Sequence, residues 1–563
     1  VKAARRAPAG AAAVAEGMGE MAGGRDYWLI GILALAALLN CWHLAWGLPN
    51  GNHSWAADAI GPVTALGVAR RMFASWNSGW FYFKYPPGWP FVMVVAFTPY
   101  LGFLYLTGAW RHPQAQYPYG FADPEATLFT LAVIGRLLNV GFAIGTAALA
   151  YGIANRLVGR RAARWSAFLT ATAYPVIYYA HTTNLDMSYC FWLILALYSA
   201  IVASRSRALL PWAALGVAAA MALSTKEQGF AFLLPLPFMV WLAHARREGG
   251  ARIVWQAPSL AMAGAGLATL LLANNALFNP MGFAGRIAYL LGRPFAGVEV
   301  RLAPVEFALW KGAKEWRYLD HLWIGMDSSL GLPLLLLAGA GALVVWRLPR
   351  AALWLLIPVV SHYYLSLRGL ELITLRYLLP VTVVALVLVA IVLTEVRARQ
   401  RVVGTLALAA VAVLSLARAV ETEWLMVADP RYRAEAWMAE HLPAGARAEI
   451  YQKPAFLPRF GEGVRATFVP IAERTVAGVA ERQPDAIVTS SASRQSITKI
   501  WAPDWHQSDT LLQPAAPAAE FLAALEGGQL PYRVGGVFRV TPRLLTNRIT
   551  SLAPEIIVYV RNP

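Results

Sequence analysis

The stretch YYAHTTNLDMSYCFWLILALYSA, Tyr178 to Ala200, decides how this chain has to fold. After Asp186 the residues are almost all apolar and continue as such to about residue 203, close to the roughly 20 residues that cross a bilayer. A carboxylate beside hydrocarbon costs several kcal/mol unless it meets water or a partner. The stretch therefore predicts a membrane span with a functional or capping aspartate at its mouth.

The rest of the chain has the same character. Of its 563 residues, 58% are hydrophobic and only 14% are charged, which indicates a polytopic membrane protein instead of an ordinary soluble one. The net charge of +17 comes from short Arg and Lys clusters between apolar runs, where such clusters set orientation against the membrane. Nucleic acid is therefore not an expected partner.

The apolar runs predict about eleven transmembrane helices. They lie at 27–48, 127–153, 165–182, 187–204, 208–224, 228–245, 255–278, 328–346, 351–367, 377–395 and 402–421. A further run, 88–108, is also long enough but carries Pro90 and Pro99. Whether this run crosses decides the orientation of everything that follows it.

The positive-inside rule favours a run 88–108 that lies in or on the membrane without crossing it. With a cytoplasmic tail at 1–26, every compact basic cluster then falls on the inner side. These clusters are found at 156–164, 205–207, 246–252, 347–350 and 397–401. The long first apolar run without a clear cleavage site and the Ala- and Arg-rich composition indicate a bacterial inner membrane protein.

The same count predicts the domains. Residues 27–424 form a transmembrane catalytic domain with outer loops 49–126 and 279–327, and residues 425–563 form a small extracytoplasmic α/β domain. In that domain RYRAEAWMAEHLPAG reads as a helix, and DAIVTSS, YRVGGVFRV and EIIVYV read as short strands. Both cysteines lie in apolar runs, which excludes a disulfide framework or a zinc site.

Two carboxylates are expected on the outer side. Asp58, in NHSWAADAIGPV, is either a loop acid or helix N-cap, or a general base at the membrane surface. Asp186 is either the N-cap of the span that starts at Met187, or one of a pair of carboxylates that line an outward cavity with Asp58. His181, about one turn earlier, is a candidate hydrogen-bonding partner of Asp186.

Cations are also expected on the outer side, although the positive-inside rule makes lysine and arginine uncommon there. Each taken alone can be a lysine or arginine that snorkels to the interface. Together with the basic and aromatic loop 279–327 they predict a cationic outer surface that binds an anion, and at a membrane the obvious anion is a lipid phosphate. The residues concerned are Lys84 and Tyr85 in FYFKYPPGWPF, Lys226 and Glu227 in STKEQGF, and Arg368 and Arg376 in LRGLELITLRYLLP.

The ordered set of these motifs resembles the GT-C membrane glycosyltransferases, and more narrowly the superfamily of the protein O-mannosyltransferases and the lipid A aminoarabinose transferase. The resemblance covers residues 27 to 440. It rests on the first-loop acid, the YPPG elbow, the span that ends in GRRAARWSAFLTATAYPVIYYAHTTNLD, the TK turn, the late RYLLP and the extracytoplasmic tail.

The resemblance implies inverting transfer of a sugar from a polyprenyl-phosphate donor to a lipid, glycan or protein acceptor at the outer face. It implies that Asp58 is the base or its close helper and that Asp186 shapes the site. Lys84, Lys226 and Arg376 then lie near the donor phosphate, with Tyr85, His181, Glu227 and Arg368 in support.

No cofactor is required by this interpretation, although Asp58 and Asp186 are able to hold a divalent cation. No Walker loop, HExxH or GxSxG context is present, so nucleotide hydrolysis and the common hydrolase chemistries have no support. The alternative function is a polytopic transporter or lipid flippase. It would predict repeats and interrupted helices near the midplane, whereas the polar residues here cluster at one face.

Overall fold

The protein is described by a computed structural model. It describes residues 26–48, 54–56, 58, 65–82, 85–114, 118–248, 251–291, 293, 313–369, 374–461, 463–492, 515–546 and 549–563. The chain divides into two compact units. The first consists of Val1–Leu44 and Ala59–Ala419, and the second of Ala45–Asp58 and Val420–Pro563. Lys84 lies outside the described residues.

The first unit is helical, as expected where a backbone in lipid must satisfy its own polar groups. Its helices are α1 Tyr27–Cys41, α2 Ala65–Met72, α3 Gly88–Leu106, α4 Pro124–Leu157, α5 Arg160–Ala171, α6 Tyr174–Ala180, α7 Leu185–Ala203, α8 Leu209–Thr225, α9 Phe230–Leu233, α10 Pro235–Glu248, α11 Ala257–Ala273, α12 Pro280–Leu290, α13 Ala313–Leu330, α14 Leu332–Val345, α15 Pro349–Leu365, α16 Leu375–Arg399 and α17 Arg401–Val427, the last of which continues into the second unit.

Among the described residues, six helical stretches are long and apolar enough to cross a membrane, or seven if the bent pair α13 and α14 counts as one span. The helix α3 is among the six. Its length and composition therefore allow it to cross, and its membrane-lying position stays a prediction. Shorter apolar helices, which include α1, α8 and α11, coincide with further predicted spans, and the count of eleven spans stays a prediction.

Two predicted spans are broken, and the breaks have local causes. The run 165–182 is divided into α5 and α6, and Pro175, which lacks a backbone N–H, stands in the first turn of the second helix. The run 328–346 is divided at Gly331, whose φ of +76° ends α13, and α14 leaves at 111° to it. Single continuous helices at these two positions were therefore a wrong prediction.

Helix α16 is the centre of the first unit. The most apolar part of α16 is 89% buried, against 33% for that of α3, and α16 packs against α5, α7, α13 and α14. Because its first residues include Arg376, this buried helix fixes a cation at one end of the bundle.

Close helix packing explains the small residues of α11. Helices α8 and α11 pack along their length, and a Cβ added at Gly216 would collide with the carbonyl of Met262. A Cβ at Gly266, within AGAGLA, would lie 3.2 Å from the Gly216 carbonyl oxygen. These glycines let two backbones touch, as small residues do between membrane helices.

The second unit contains a five-stranded sheet in the order β2-β1-β3-β5-β4. Strands β1 to β3 run parallel, whereas β5 is antiparallel to both β3 and β4. The predicted helix and the three predicted strands are present, and β1 and β2 are two further strands that were not predicted. The elements are α18 Pro430–His441, β1 Ala446–Ile450, β2 Val464–Phe468, α19 Val476–Arg482, β3 Ala486–Ser490, α20 Ala515–Glu526, β4 Tyr532–Phe538 and β5 Ile556–Arg561.

Candidate active site

Asp186 and Lys226 form a buried ion pair in the first unit. The Lys226 Nζ donates to Asp186 Oδ1 at 2.9 Å, and the two side chains are only 2% and 5% exposed. Asp186 lies in the first turn of α7, which begins at Leu185 after the N-cap residue Asn184. Asp186 is therefore not the helix N-cap, and its carboxylate serves to pair with the lysine.

Side chains of two other helices, α3 and α4, donate hydrogen bonds to the backbone of the loop before α7. The Asn139 side chain donates to the carbonyl oxygens of Thr182 and Asn184 at 2.7 and 2.8 Å, and the indole of Trp89 donates to Thr183 O at 2.8 Å. Neither Asn139 nor Trp89 was singled out by the sequence analysis, because their partners are backbone atoms 40 to 100 residues away. Together they fix the direction in which α7 starts, and hence the position of Asp186.

His181 has a structural environment. Its two ring nitrogens lie 2.8 Å from the carbonyl oxygens of Ile177 and Trp42. Because both nitrogens are taken up by backbone carbonyls, neither is left for a hydrogen bond to Asp186. The predicted partnership of His181 with Asp186 is therefore not formed.

A group of tyrosines surrounds the ion pair. Lys226 Nζ lies 4.1 Å from the ring centroid of Tyr377 and 5.3 Å from that of Tyr189. These distances lie within the range in which a ring face stabilises a cation. The lysine is thus held by one carboxylate and two aromatic rings.

Arg376 is the second cation of this group. Its Nη2 donates to the Tyr377 hydroxyl at 3.2 Å, and its Cζ lies 5.0 Å from the same ring. Among the described residues no carboxylate lies within ion-pair distance of Arg376, and its buried Nε has no hydrogen-bond partner there. With Asp186 already paired to Lys226, the three ionised groups carry one positive charge in excess.

Tyr85 lies at the edge of this group. Burial raises the pKa of Tyr85, while the positive charge of Arg376 lowers it and the negative charge of Asp186 raises it. The phenol therefore remains protonated at neutral pH and can donate a hydrogen bond. The YPPG elbow thus brings Tyr85 to the charged cluster, although Lys84 beside it is not described.

Two further cations of the predicted surface, Arg368 and Arg286, are neutralised by carboxylates. Arg368 pairs with Glu315 at 2.6 Å, and both side chains are buried. Arg286 pairs with Glu227 and donates to the Tyr82 carbonyl oxygen at 2.8 Å. Among the described residues, these two members of the predicted cationic surface are therefore held in ion pairs, because burial of a cation without a partner is costly.

A small pocket adjoins the Arg286–Glu227 pair. The space in it, counted together with the open solvent at its mouth, is about 330 Å³, and its walls combine amide, indole, phenol and apolar groups. Its lining includes Trp80, Tyr82, Asn274, Asn275, Asn279 and Arg286.

Asp58 belongs to the second unit, whereas Asp186 belongs to the first. The Ser54 hydroxyl donates to the Asp58 carboxylate, and Asp58 is half-buried. The pairing of Asp58 with Asp186 in one cavity stays a prediction. So do the assigned roles of Asp58 as base and of either carboxylate as a metal ligand, and the described residues contain no group of three or more His, Cys, Asp or Glu side chains placed to hold a metal.

One protein-family model matches part of this chain. Residues 132–280, which include Asp186, Lys226 and Glu227, match the model of the dolichyl-phosphate-mannose-protein mannosyltransferase family. No curated protein sequence matches the chain.

Solved structures show weaker likenesses. ArnT from Cupriavidus metallidurans bound to undecaprenyl phosphate is 14% identical, with 95% of this chain and 98% of that chain covered and a TM-score of 0.46. The Archaeoglobus fulgidus oligosaccharyltransferase AglB, in complex with an inhibitory peptide and a dolichol-phosphate, is 11% identical, with 95% and 88% covered and a TM-score of 0.42. Over residues 132–280, therefore, the chain resembles the GT-C glycosyltransferases to which that family belongs.

Proposed function

We propose that this protein transfers a sugar from a polyprenyl-phosphate donor to a hydroxyl of a lipid, glycan or protein acceptor. In the reaction the bond between the anomeric carbon and the phosphate oxygen breaks, and its electron pair leaves with the phosphate. The acceptor oxygen forms the new bond from the opposite face, which inverts the anomeric centre. Its proton passes to a base, for which we propose Asp58.

The observation that carries this proposal is the positive charge at Arg376 that no carboxylate among the described residues pairs with. A leaving phosphate gains negative charge as the glycosidic bond breaks, so a fixed cation beside it stabilises the transition state more than the ground state. Arg376 is also suited to phosphate by its planar fork of donors, and its Nε has no described partner. The family match supports a lipid-phosphate donor independently.

The Asp186–Lys226 pair has a different role in this proposal. Because Asp186 neutralises Lys226, this lysine is not a free counter-ion for the phosphate. The Asp186–Lys226 pair forms a neutral cluster with Tyr189 and Tyr377. Arg376 is held against this cluster by its contact with Tyr377. The proposed phosphate therefore has Arg376 as its main cation and Tyr85 as a neutral hydrogen-bond donor.

We further propose the predicted topology for this enzyme. It has about eleven spans, a membrane-lying α3, a cytoplasmic N-terminal tail and the α/β domain 425–563 outside the cytoplasm of a bacterial inner membrane. The positional bias of arginine supports it. Labelling of a cysteine placed at the exposed Glu440 by a membrane-impermeant reagent in intact spheroplasts tests it, and protection of that cysteine would reverse the orientation.

Arg376→Met is expected to lower kcat/KM for donor cleavage by about 10²-fold, because it removes a charged hydrogen-bond donor from a buried phosphate. The measurement is mass spectrometry of polyprenyl phosphate released from a panel of polyprenyl-phosphate sugars by protein in lipid nanodiscs. Arg317→Met, an arginine exposed on α13, is the control and is expected to keep full activity.

Two outcomes would contradict the proposal. Equal rates for Arg376→Met and Arg317→Met would remove Arg376 from the phosphate site. Release of polyprenyl phosphate from no donor by the wild-type protein, with acceptor extracts supplied, would shift the function to transport or flipping of the lipid.

We propose that the reaction needs no metal ion, because Arg376 supplies the charge that a divalent cation would otherwise provide. The rate of polyprenyl phosphate release is expected to be the same within error before and after exhaustive treatment with a strong chelator. A loss of rate that added Mg²⁺ or Mn²⁺ restores would instead make the carboxylates metal ligands.

A further inference from the structure

The segment that carries Asp58 is built into the second unit. Within Ala45–Asp58, the backbone N–H of Trp55 donates to Gly47 O at 2.9 Å, and the N–H of Gly47 donates to the Tyr432 hydroxyl at 3.3 Å. Gly47 has a φ of +55°, and a Cβ there would lie 2.6 Å from the Cβ of Trp55. Gly47 and Trp55, two described residues of the segment, therefore lie in close contact with each other, and Gly47 is bound to α18 through Tyr432.

Trp55 is clamped between two arginines. Its ring is 1% exposed, and the guanidinium carbons of Arg431 and Arg459 lie 4.2 and 4.8 Å from it. The ring of Tyr432 meets it edge-on, with centroids 4.7 Å apart. Two cation–π contacts and an aromatic contact on one indole make a firm anchor for the segment.

The two arginines are themselves fixed. Arg431 makes a fully buried ion pair with Asp429, at 2.7 Å, and Arg459 makes a two-point pair with Glu435, with both distances 2.8 Å. Asp429 also accepts from the indole of Trp46 at 3.1 Å. The clamp, defined here as Trp55, Arg431, Tyr432 and Arg459, is thus a rigid part of the second unit.

Asp58 follows Trp55 by three residues, and three residues of chain can span no more than about 10 Å. The Ser54 hydroxyl, on the other side of Trp55, donates to the Asp58 carboxylate. Both the backbone and the side chain of Asp58 are therefore tied to the position of the clamped indole.

We propose that the clamp positions Asp58, so that side chains of the C-terminal part of the chain hold the proposed base in place. This inference rests on the proposed function, in which Asp58 takes the acceptor's proton. Arg459 is a positioning residue in it, since it acts through Trp55 and Asp58.

The test is a double-mutant cycle on polyprenyl phosphate release in nanodiscs with a fixed acceptor. Arg459→Met keeps the aliphatic bulk but removes the cation, and is expected to lower kcat about tenfold with KM for the donor unchanged. In an Asp58→Asn background the same change is expected to cost nothing more, because the base is already lost. Arg459→Lys is expected to recover part of kcat.

The matched control is Arg561→Met. Arg561 also pairs with a carboxylate of the second unit, Asp485, at 3.1 Å, and has a similar exposure of 38% against 28% for Arg459. It is expected to leave kcat unchanged. A further loss of kcat from Arg459→Met in the Asp58→Asn background, or an equal loss from Arg561→Met, would show a general structural effect and overturn the proposal.

A readout without activity separates this inference from the proposed function. Hydrogen exchange of the peptide that covers 45–58, followed by mass spectrometry in nanodiscs, is expected to be faster in Arg459→Met and unchanged in Arg561→Met. The wild type releasing no polyprenyl phosphate, with exchange of 45–58 faster in Arg459→Met and unchanged in Arg561→Met, would support the clamp and contradict the proposed glycosyl transfer. If exchange is unchanged in Arg459→Met, the clamp does not hold the segment, whatever the activity.

Discussion

Lys226→Met is expected to lower the free energy of unfolding by about 3–5 kcal/mol, because it leaves the Asp186 carboxylate buried without its partner. The pair is 2% and 5% exposed, so water does not replace the lost ammonium. Thermal and denaturant unfolding of the protein in micelles measures the change. Donor cleavage by the folded fraction is expected to fall as well, since Tyr377 then loses the cation against which it packs.

The double variant Asp186→Leu with Lys226→Met separates the two effects. With both charges gone, most of the stability is expected to return. Donor cleavage is expected to remain low, because the neutral cluster that Arg376 contacts through Tyr377 has changed. Arg368→Met, which breaks the equally buried pair with Glu315, is the matched control for stability. An unchanged unfolding transition in Lys226→Met would show that water reaches Asp186 and that the pair is not a buried element.

Asp58→Asn is expected to lower kcat by about 10²–10⁴-fold, the range for loss of a general base. The amide keeps the size of the side chain and still accepts the Ser54 hydrogen bond, but it takes no proton. Single-turnover measurements with a bound donor separate the chemical step from binding, and KM for the donor is expected to change little.

Glu440→Gln is the matched control, since this acid is 78% exposed on α18 of the same unit. It is expected to keep the wild-type rate. Turnover of Asp58→Asn within a few-fold of wild type would remove Asp58 as the base and would leave the proton to another group or to water.

Compositional features were predictable from the sequence. Apolar runs indicated most helices of the first unit, and short runs rich in Val, Ile, Tyr and Phe indicated β3, β4 and β5. Strands β1 and β2 were missed because ARAEI and VRATF mix charged and apolar residues. Their strand conformation comes from parallel pairing between residues 18 positions apart, which no local pattern records.

The candidate site divides in the same way. Asp186, Lys226, Arg376 and Tyr85 were singled out because polar residues at the mouths of apolar runs are costly and therefore informative. That Lys226 has a carboxylate partner while Arg376 has none among the described residues depends on which carboxylate reaches which cation. Asn139 and Trp89 were not predicted, because they donate hydrogen bonds to distant backbone carbonyl oxygens, which no local sequence pattern marks.

By itself, then, the sequence determined a chain of membrane helices with a C-terminal α/β part, since burial of apolar surface and the cost of charge in lipid act on each segment locally. Only the tertiary structure decided the pairing of charges around Arg376 and the attachment of Ala45–Asp58 to the second unit. Both depend on distances between residues far apart in the chain. Arg459 approaches Trp55 to 4.8 Å across about four hundred residues, and only the folded chain brings them together.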